Sequence, residues 1–110
     1  MVTYRFSWIG LTPADLVRAN KSREEDEIIV CVPFTVNKDD VDSYFIVDVH
    51  HEKYVGEPAC FDLEVYRSNN DEEHLEWLFS IKEIKTATNY RRFCKRAEDL
   101  IIEKLYWQEW

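Results

Sequence analysis

The sequence contains few of the residues that build phosphate-binding loops and no segment suited to a membrane. Its only two glycines are Gly10 and Gly56, so a glycine-rich loop that would hold a phosphate group is excluded. No apolar stretch approaches the roughly 18 residues that a membrane-spanning helix needs. The N-terminus shows no basic segment followed by an apolar one, so a signal peptide is not expected.

Cysteine is also scarce and follows no known motif. Cys31, Cys60 and Cys94 are odd in number, far apart in sequence, and each adjoins apolar residues. A disulfide framework needs paired cysteines, so this pattern favours buried, unreactive thiols in a reducing compartment. We therefore expect a cytoplasmic protein that has no Cys–His nucleophile.

Basic residues are outnumbered by acidic ones, 14 to 22, which gives a formal net charge of −8. The excess is spread evenly, because residues 1–55 carry 10 acids and 6 bases and residues 56–110 carry 12 and 8. Such a charge repels nucleic acids and anionic membranes and attracts basic proteins. Solubility alone is the alternative, since a net charge of this size is ordinary in small soluble domains.

Alternating apolar and polar residues predict strands over residues 2–8, 43–51, 60–66 and 75–84. The last segment also fits a helix, but its Trp and Phe content and the turn residues before it favour a hairpin with 60–66. The continuous β-branched run over residues 28–36 predicts a central strand that is buried on both faces. Pro33 cannot donate a backbone hydrogen bond, so an edge, a bulge or a strand end is expected there.

A short helix is predicted after the first strand. Thr12 suits its N-cap and Asp15 its third position, while Leu11 and Leu16 have the spacing of a hydrophobic staple. We expect this helix to end at Asn20, in a left-handed conformation.

A long amphipathic helix is predicted from about residue 87 to residue 107. Its apolar stripe consists of Tyr90, Phe93, Cys94, Ala97, Leu100, Ile101 and Leu105. Its first half carries the basic residues Arg91, Arg92, Lys95 and Arg96, although the helix dipole favours acids there. Local ion pairing, such as Lys95 with Asp99, is favoured over contact with nucleic acid. Trp107 and Trp110 end the chain and are expected to seal the core, with a partner contact as the alternative.

The predicted fold class is therefore α+β, in one domain over residues 1–110. A single antiparallel sheet of about five strands, in the order β-α-β-β-β-β-α, packs one face against the long C-terminal helix. The other face carries Arg5, Asp62, Glu64 and Tyr66, and we expect it to be exposed to water.

Histidines adjoin acidic residues at two places, but neither place predicts a metal site. His50 and His51 precede Glu52, and His74 follows Glu72 and Glu73. Neighbouring residues of a strand point to opposite faces, so His50 and His51 are not expected to share an ion. We expect ordinary surface or strand-end histidines, and no metal or cofactor.

The leading functional hypothesis is a non-enzymatic, acidic protein-binding module. It would be an intracellular inhibitor or immunity protein that neutralises a basic partner such as a nuclease toxin. The expected contact residues are Asp62, Glu64 and Tyr66, followed by Asp39, Asp40, Asp42, Asp71, Glu72 and Glu73.

Three alternatives stay open at this point. One is a phage-encoded inhibitor that mimics DNA and blocks a host defence protein. Another is a small-ligand or enzymatic domain with a pocket at Tyr44, Asp48 and His50. The third is a structural subunit or homodimer that uses an open strand edge or exposed aromatic residues.

Overall fold

A computed structural model of the chain describes residues 1–21, 27–52, 60–68, 75–85 and 90–108. The predicted α+β fold is confirmed, and so is the order of its elements. The strands are β1 (Val2–Phe6), β2 (Glu27–Lys38), β3 (Val41–Glu52), β4 (Cys60–Ser68) and β5 (Leu75–Lys85). The helices are α1 (Pro13–Lys21) and α2 (Tyr90–Trp107), and a 3₁₀ turn (Trp8–Gly10) follows β1.

The five strands form one antiparallel sheet in the order β1-β2-β3-β4-β5, so each strand pairs with its neighbours in sequence. The ambiguous segment 75–84 is a strand, as predicted, and it pairs with β4. The register sets Val32 opposite Val47, Val47 opposite Val65 and Val65 opposite Phe79. Because side chains alternate between faces, these partners define one continuous apolar face. Cys31 and Pro33, on the other face of β2, are exposed, so the prediction that this strand is buried on both faces is wrong.

Pro33 lies inside β2, not at an edge or at the bulge, which falls between Ile28 and Val30. Its carbonyl oxygen accepts a hydrogen bond from the backbone N–H of Ser7 at 3.0 Å. The N–H and C=O groups of one strand residue point towards the same neighbouring strand. The Pro33 carbonyl points towards the β1 side, so the N–H group that proline lacks would also have faced that side. There β1 has already ended at Phe6, and the pairing of β2 with β3 loses nothing.

A two-residue turn joins β2 to β3. Asp39 and Asp40 have φ values of 52° and 63°, the left-handed conformation that a type I′ hairpin turn requires at both positions. Aspartate tolerates this region better than most residues, but glycine is free of the penalty altogether. The turn therefore carries backbone strain at two consecutive positions.

Helix α1 begins as predicted. The Asp15 carboxylate accepts from the Thr12 backbone N–H at 2.9 Å, and the Thr12 hydroxyl accepts from the Asp15 N–H at 3.3 Å, which forms a capping box. Leu11 and Leu16 are both buried. The predicted end at Asn20 is wrong, because the helix continues to Lys21 and no glycine or proline is present there to stop it.

Helix α2 covers the apolar face of the sheet. Its buried side chains are Phe93, Cys94, Ala97, Ile101 and Leu105, five of the seven residues of the predicted stripe, and the other two, Tyr90 and Leu100, are half-buried. Phe93 packs edge-on against Phe61 of β4, with 5.0 Å between ring centroids. Among the described residues, no helix has the length and apolar composition needed to cross a membrane.

Trp107 does not seal the core, so that prediction is wrong for this residue. The side chain of Trp107 is 78% exposed, and that of Tyr106 is 76% exposed. The chain stays helical through Trp107, so this last turn directs Leu105 into the core and Lys104 to the Ser80 carbonyl of β5, while Tyr106 and Trp107 point away from the sheet. Trp110 lies outside the described residues.

Tyr90 ties the start of α2 to the segment between β1 and α1. Its hydroxyl donates to the carbonyl of Leu11 at 2.6 Å and lies 3.3 Å from that of Trp8. The Trp8 indole nitrogen in turn donates to Glu98 at 2.7 Å.

We expect Tyr90→Phe to lower the free energy of unfolding by about 1–2 kcal/mol, because the Leu11 carbonyl loses its donor. Urea unfolding followed by circular dichroism measures the change. Tyr106→Phe is the matched control, since that side chain is exposed, and it should leave stability unchanged. Equal stability of Tyr90→Phe and the unaltered protein would contradict the assignment.

Asp40→Gly should raise the free energy of unfolding by about 0.5–1 kcal/mol, because glycine removes the left-handed penalty in the type I′ turn. Asp40→Ala removes the same charge but keeps the left-handed penalty, so it should be less stable than Asp40→Gly. Thermal unfolding of both variants tests this ordering.

Candidate binding face of the sheet

The face of the sheet opposite α2, here called the open face, is covered by neither described helix. Two rows of side chains cross it at its centre, from β2 to β5. The acidic row consists of Cys31, Asp48, Glu64 and Ser80, which are successive partners in the strand register. The neighbouring row consists of Pro33, Ile46, Tyr66 and Trp77.

Two carboxylates lie side by side in the acidic row, because Asp48 of β3 pairs directly with Glu64 of β4. Like charges at directly opposite positions destabilise a sheet. Hydrogen-bond donors from the flanking strands β2 and β5 offset this cost. Cys31 donates to Asp48 at 2.9 Å, and the Trp77 indole and the Ser80 hydroxyl both donate to one oxygen of Glu64, the indole at 2.7 Å.

The negative charge of this pair contributes to raised pKa values of two neighbouring groups, Cys31 and Tyr66. The hydrogen bond to Asp48 raises the pKa of the Cys31 thiol to about 11, and burial and the Asp48 charge add to the effect. Burial raises the pKa of Tyr66, and the charges of Asp48 and Glu64 raise it further. Both groups stay protonated at neutral pH and can act there as hydrogen-bond donors.

Exposed aromatic and apolar side chains adjoin the acidic row. Tyr44 is 53% exposed, Trp77 is 56% exposed and Leu75 is 49% exposed, while Ile46 and Tyr66 are half-buried. We call these five residues the aromatic patch. Tyrosine and tryptophan are the residues most often found as energetic hot spots of protein interfaces.

The predicted contact residues on β4 share this face, but they differ in accessibility. Glu64 and Tyr66 are half-buried and belong to the two central rows. Asp62, which pairs with His50, is only 4% exposed, so its predicted exposure to water is wrong. Alternation assigns a residue to a face of the sheet without stating whether other parts of the chain cover that position.

The predicted acids of the β2–β3 turn form a separate group. Asp39 and Asp40 are exposed in the turn, and Asp42 accepts a hydrogen bond from the Asn37 amide at 2.7 Å. Six residues of β3 separate Asp42 from Asp48, a distance of about 20 Å along the strand. The predicted contacts Asp71, Glu72 and Glu73 lie outside the described residues.

Charge on the open face is arranged with acids at the centre and bases at the edges. The exposed bases that alternation assigns to the described part of this face are Arg5 on β1 and Lys82 on β5, the two outer strands. The acids Asp48 and Glu64 lie on β3 and β4, two of the three inner strands. A cationic group that approaches the middle of the sheet therefore meets negative charge first.

Sequence reasoning missed Asp48, Trp77 and Cys31 as members of this site. The alternation over residues 43–51 already assigned Asp48 to the face that carries Tyr44 and Ile46. What it lacked was the register between strands, which sets Asp48 beside Glu64 and brings Trp77 within reach of it.

The structure does not unite the residues of the proposed pocket at Tyr44, Asp48 and His50. Tyr44 lines a shallow hollow of about 420 Å³, together with residues such as Arg5 and Asp42. His50 lies six residues further along β3, about 20 Å away. The Nε2 atom of His50 is buried and has no hydrogen-bond partner among the described residues.

The other candidate residues for chemistry also differ in their surroundings. His51 is buried on the opposite face, packed against Phe61, so it is not a surface histidine. Cys94 is buried as predicted, Cys60 is half-buried, and Cys31 is exposed, contrary to the prediction. Within the described ranges, no three His, Cys, Asp or Glu side chains are placed to hold a metal ion.

Comparison of the chain with protein-family models, with curated proteins and with solved structures finds no match. No relative therefore transfers a function to this chain. The residues of the open face are the basis on which a function has to be inferred.

Cys31 should react slowly with iodoacetamide at pH 8 despite its exposure, because Asp48 holds its thiol protonated. Asp48→Asn should lower the pKa of Cys31, which increases the fraction of thiolate but makes each thiolate less nucleophilic. The net result should be a reaction about tenfold faster. Site-resolved mass spectrometry measures the rate. Asp42→Asn, on the same strand, is the matched control and should change nothing.

Proposed function

We propose that this protein is a non-enzymatic binding module whose open face docks a basic protein partner. The observation that carries the proposal is the side-by-side pair of Asp48 and Glu64, with the exposed Trp77 bonded to Glu64 and the exposed Tyr44 further along β3 on the same face. The proposed role is that of a cytoplasmic inhibitor or immunity protein that neutralises a basic partner such as a nuclease toxin.

The acidic row and the aromatic patch would act at different stages of binding. The central carboxylates would steer a cationic partner during approach, which raises the association rate at low salt. The aromatic patch would then lose its contact with water, and burial of Tyr44 and Trp77 would slow dissociation.

A nuclease fits this face for a chemical reason. A cleft that binds phosphates presents lysine and arginine side chains, which also bind carboxylates. Asp48 and Glu64 would take the place of substrate phosphates and occlude the cleft. Cysteines that form no disulfide, among them the exposed Cys31, suit the cytoplasm as the compartment.

The test begins with the immobilised protein and a lysate of its native host. A basic protein should be retained at 50 mM salt, and its association rate should fall at least tenfold at 300 mM salt. Asp48→Asn with Glu64→Gln should weaken binding tenfold or more. These substitutions keep the acceptor oxygens and remove a like-charge repulsion, so folding should be preserved.

Glu24→Gln with Glu25→Gln is the matched control, because it changes the net charge by the same amount in the sequence segment between α1 and β2. It should leave binding within twofold of the unaltered protein. Equal losses in the two double variants would mean that net charge alone governs binding. Retention of no basic protein, or binding that ignores salt, would contradict the proposal. A retained host defence protein in place of a nuclease would favour the DNA-mimic alternative.

A further inference from the structure

The outer surface of α2 carries a charged stripe that the proposed function does not use. Arg92, Arg96, Asp99 and Glu103 are spaced by four, three and four residues, so they form one line along the helix. All four side chains are exposed. We call this line the charged stripe, and its signs run plus, plus, minus, minus from the N-terminal end.

This order of charges is unfavourable within a single chain. Arg92 and Arg96 are like charges four residues apart, and so are Asp99 and Glu103, and such pairs destabilise a helix. Arg92 also lies in the first turn, at the positive end of the helix dipole, where an acid would be the stabilising residue. Part of this cost is offset within the helix, because Lys95 forms an ion pair with Asp99 at 3.1 Å and the opposite charges of Arg96 and Asp99 are three residues apart.

The same order becomes favourable against an antiparallel copy of itself. We propose that α2 packs antiparallel against α2 of a second copy of this chain, so that the two charged stripes pair. In that register Arg92 of each copy faces Glu103 of the other, and Arg96 faces Asp99. Two-fold symmetry repeats both contacts, which gives four ion pairs, and the helix dipoles oppose each other.

Apolar side chains flank the charged stripe and add to the interface. Leu100 and Glu103 line both of two shallow hollows, one of about 440 Å³ between α2 and Ile81 of β5 and one of about 490 Å³ along the outer side of α2. Trp107 borders the first hollow and Arg92 the second. The antiparallel register brings Trp107 of each copy within about one helical turn of the other copy's Arg92, close enough for a cation–π contact.

The interface would be small. The charged stripe spans about 16 Å of helix, or three turns, so the dimer belongs to the weak class that forms and dissociates readily. It does not rest on the proposed function, because α2 and the open face lie on opposite sides of the sheet. A dimer built through α2 leaves both open faces accessible.

Charge reversal tests the pairing. Sedimentation velocity at 50 mM salt, between 10 and 500 μM protein, should show a monomer–dimer equilibrium that weakens at 500 mM salt. Two double variants make the charged stripe uniform in sign. Arg92→Glu with Arg96→Glu makes it entirely negative, and Asp99→Arg with Glu103→Arg makes it entirely positive. Each should raise the dissociation constant at least tenfold, and an equimolar mixture of the two should recover a one-to-one heterodimer.

Arg5→Glu with Lys82→Glu is the control for net charge, because it changes the total by the same amount as Arg92→Glu with Arg96→Glu but on the open face. It should dimerise like the unaltered protein. If a reversed variant fails to fold by circular dichroism, Arg92→Gln with Arg96→Gln should still weaken the dimer. A protein that stays monomeric at 500 μM, or reversed variants that still self-associate or do not recover on mixing, would overturn the proposal.

Discussion

The whole molecule depends on a five-stranded antiparallel sheet that has helices on only one of its two faces. The covered face has to be continuously apolar, and the register achieves this by aligning Val32, Val47, Val65 and Phe79 across four strands. Because side chains alternate, that alignment also aligns the residues on the opposite face. Core packing thus sets Asp48 beside Glu64, so the acidic row is positioned by the same apolar contacts that hold the fold together.

The open face differs from the exposed polar face of an ordinary half-covered sheet, because it holds two carboxylates side by side. A pair of facing carboxylates is a local cost, and the neighbouring strands supply Cys31, Trp77 and Ser80 as donors that offset it. A lysine at the position of Ser80 would have neutralised Glu64 directly. Neutral donors satisfy the oxygens but leave the charge in place, and this charge contributes to the raised pKa values of Cys31 and Tyr66.

Local pattern was sufficient to predict the elements and their faces, because alternation and helical periodicity act over a few residues. It predicted the strand at 75–84, the cap at Thr12 and the buried stripe of α2. It failed where the answer depends on contacts distant in sequence. Asp62 is buried and Cys31 is exposed although their neighbours suggested the reverse, and Trp107 stays exposed because α2 carries it away from the sheet. The acidic row itself needed the register, which no single segment contains.

The two unusual charge arrangements of this chain share one physical property. In both, like charges are placed together at a cost to the folded monomer: Asp48 with Glu64 on the open face, and the two halves of the charged stripe on α2. Folding alone favours neither arrangement, since a substitution to a neutral residue at one of these positions would relieve repulsion. A complementary surface converts each cost into attraction, and the two surfaces call for different complements. The open face suits a cationic partner. The charged stripe instead suits an antiparallel copy of itself, which a second copy of this chain supplies.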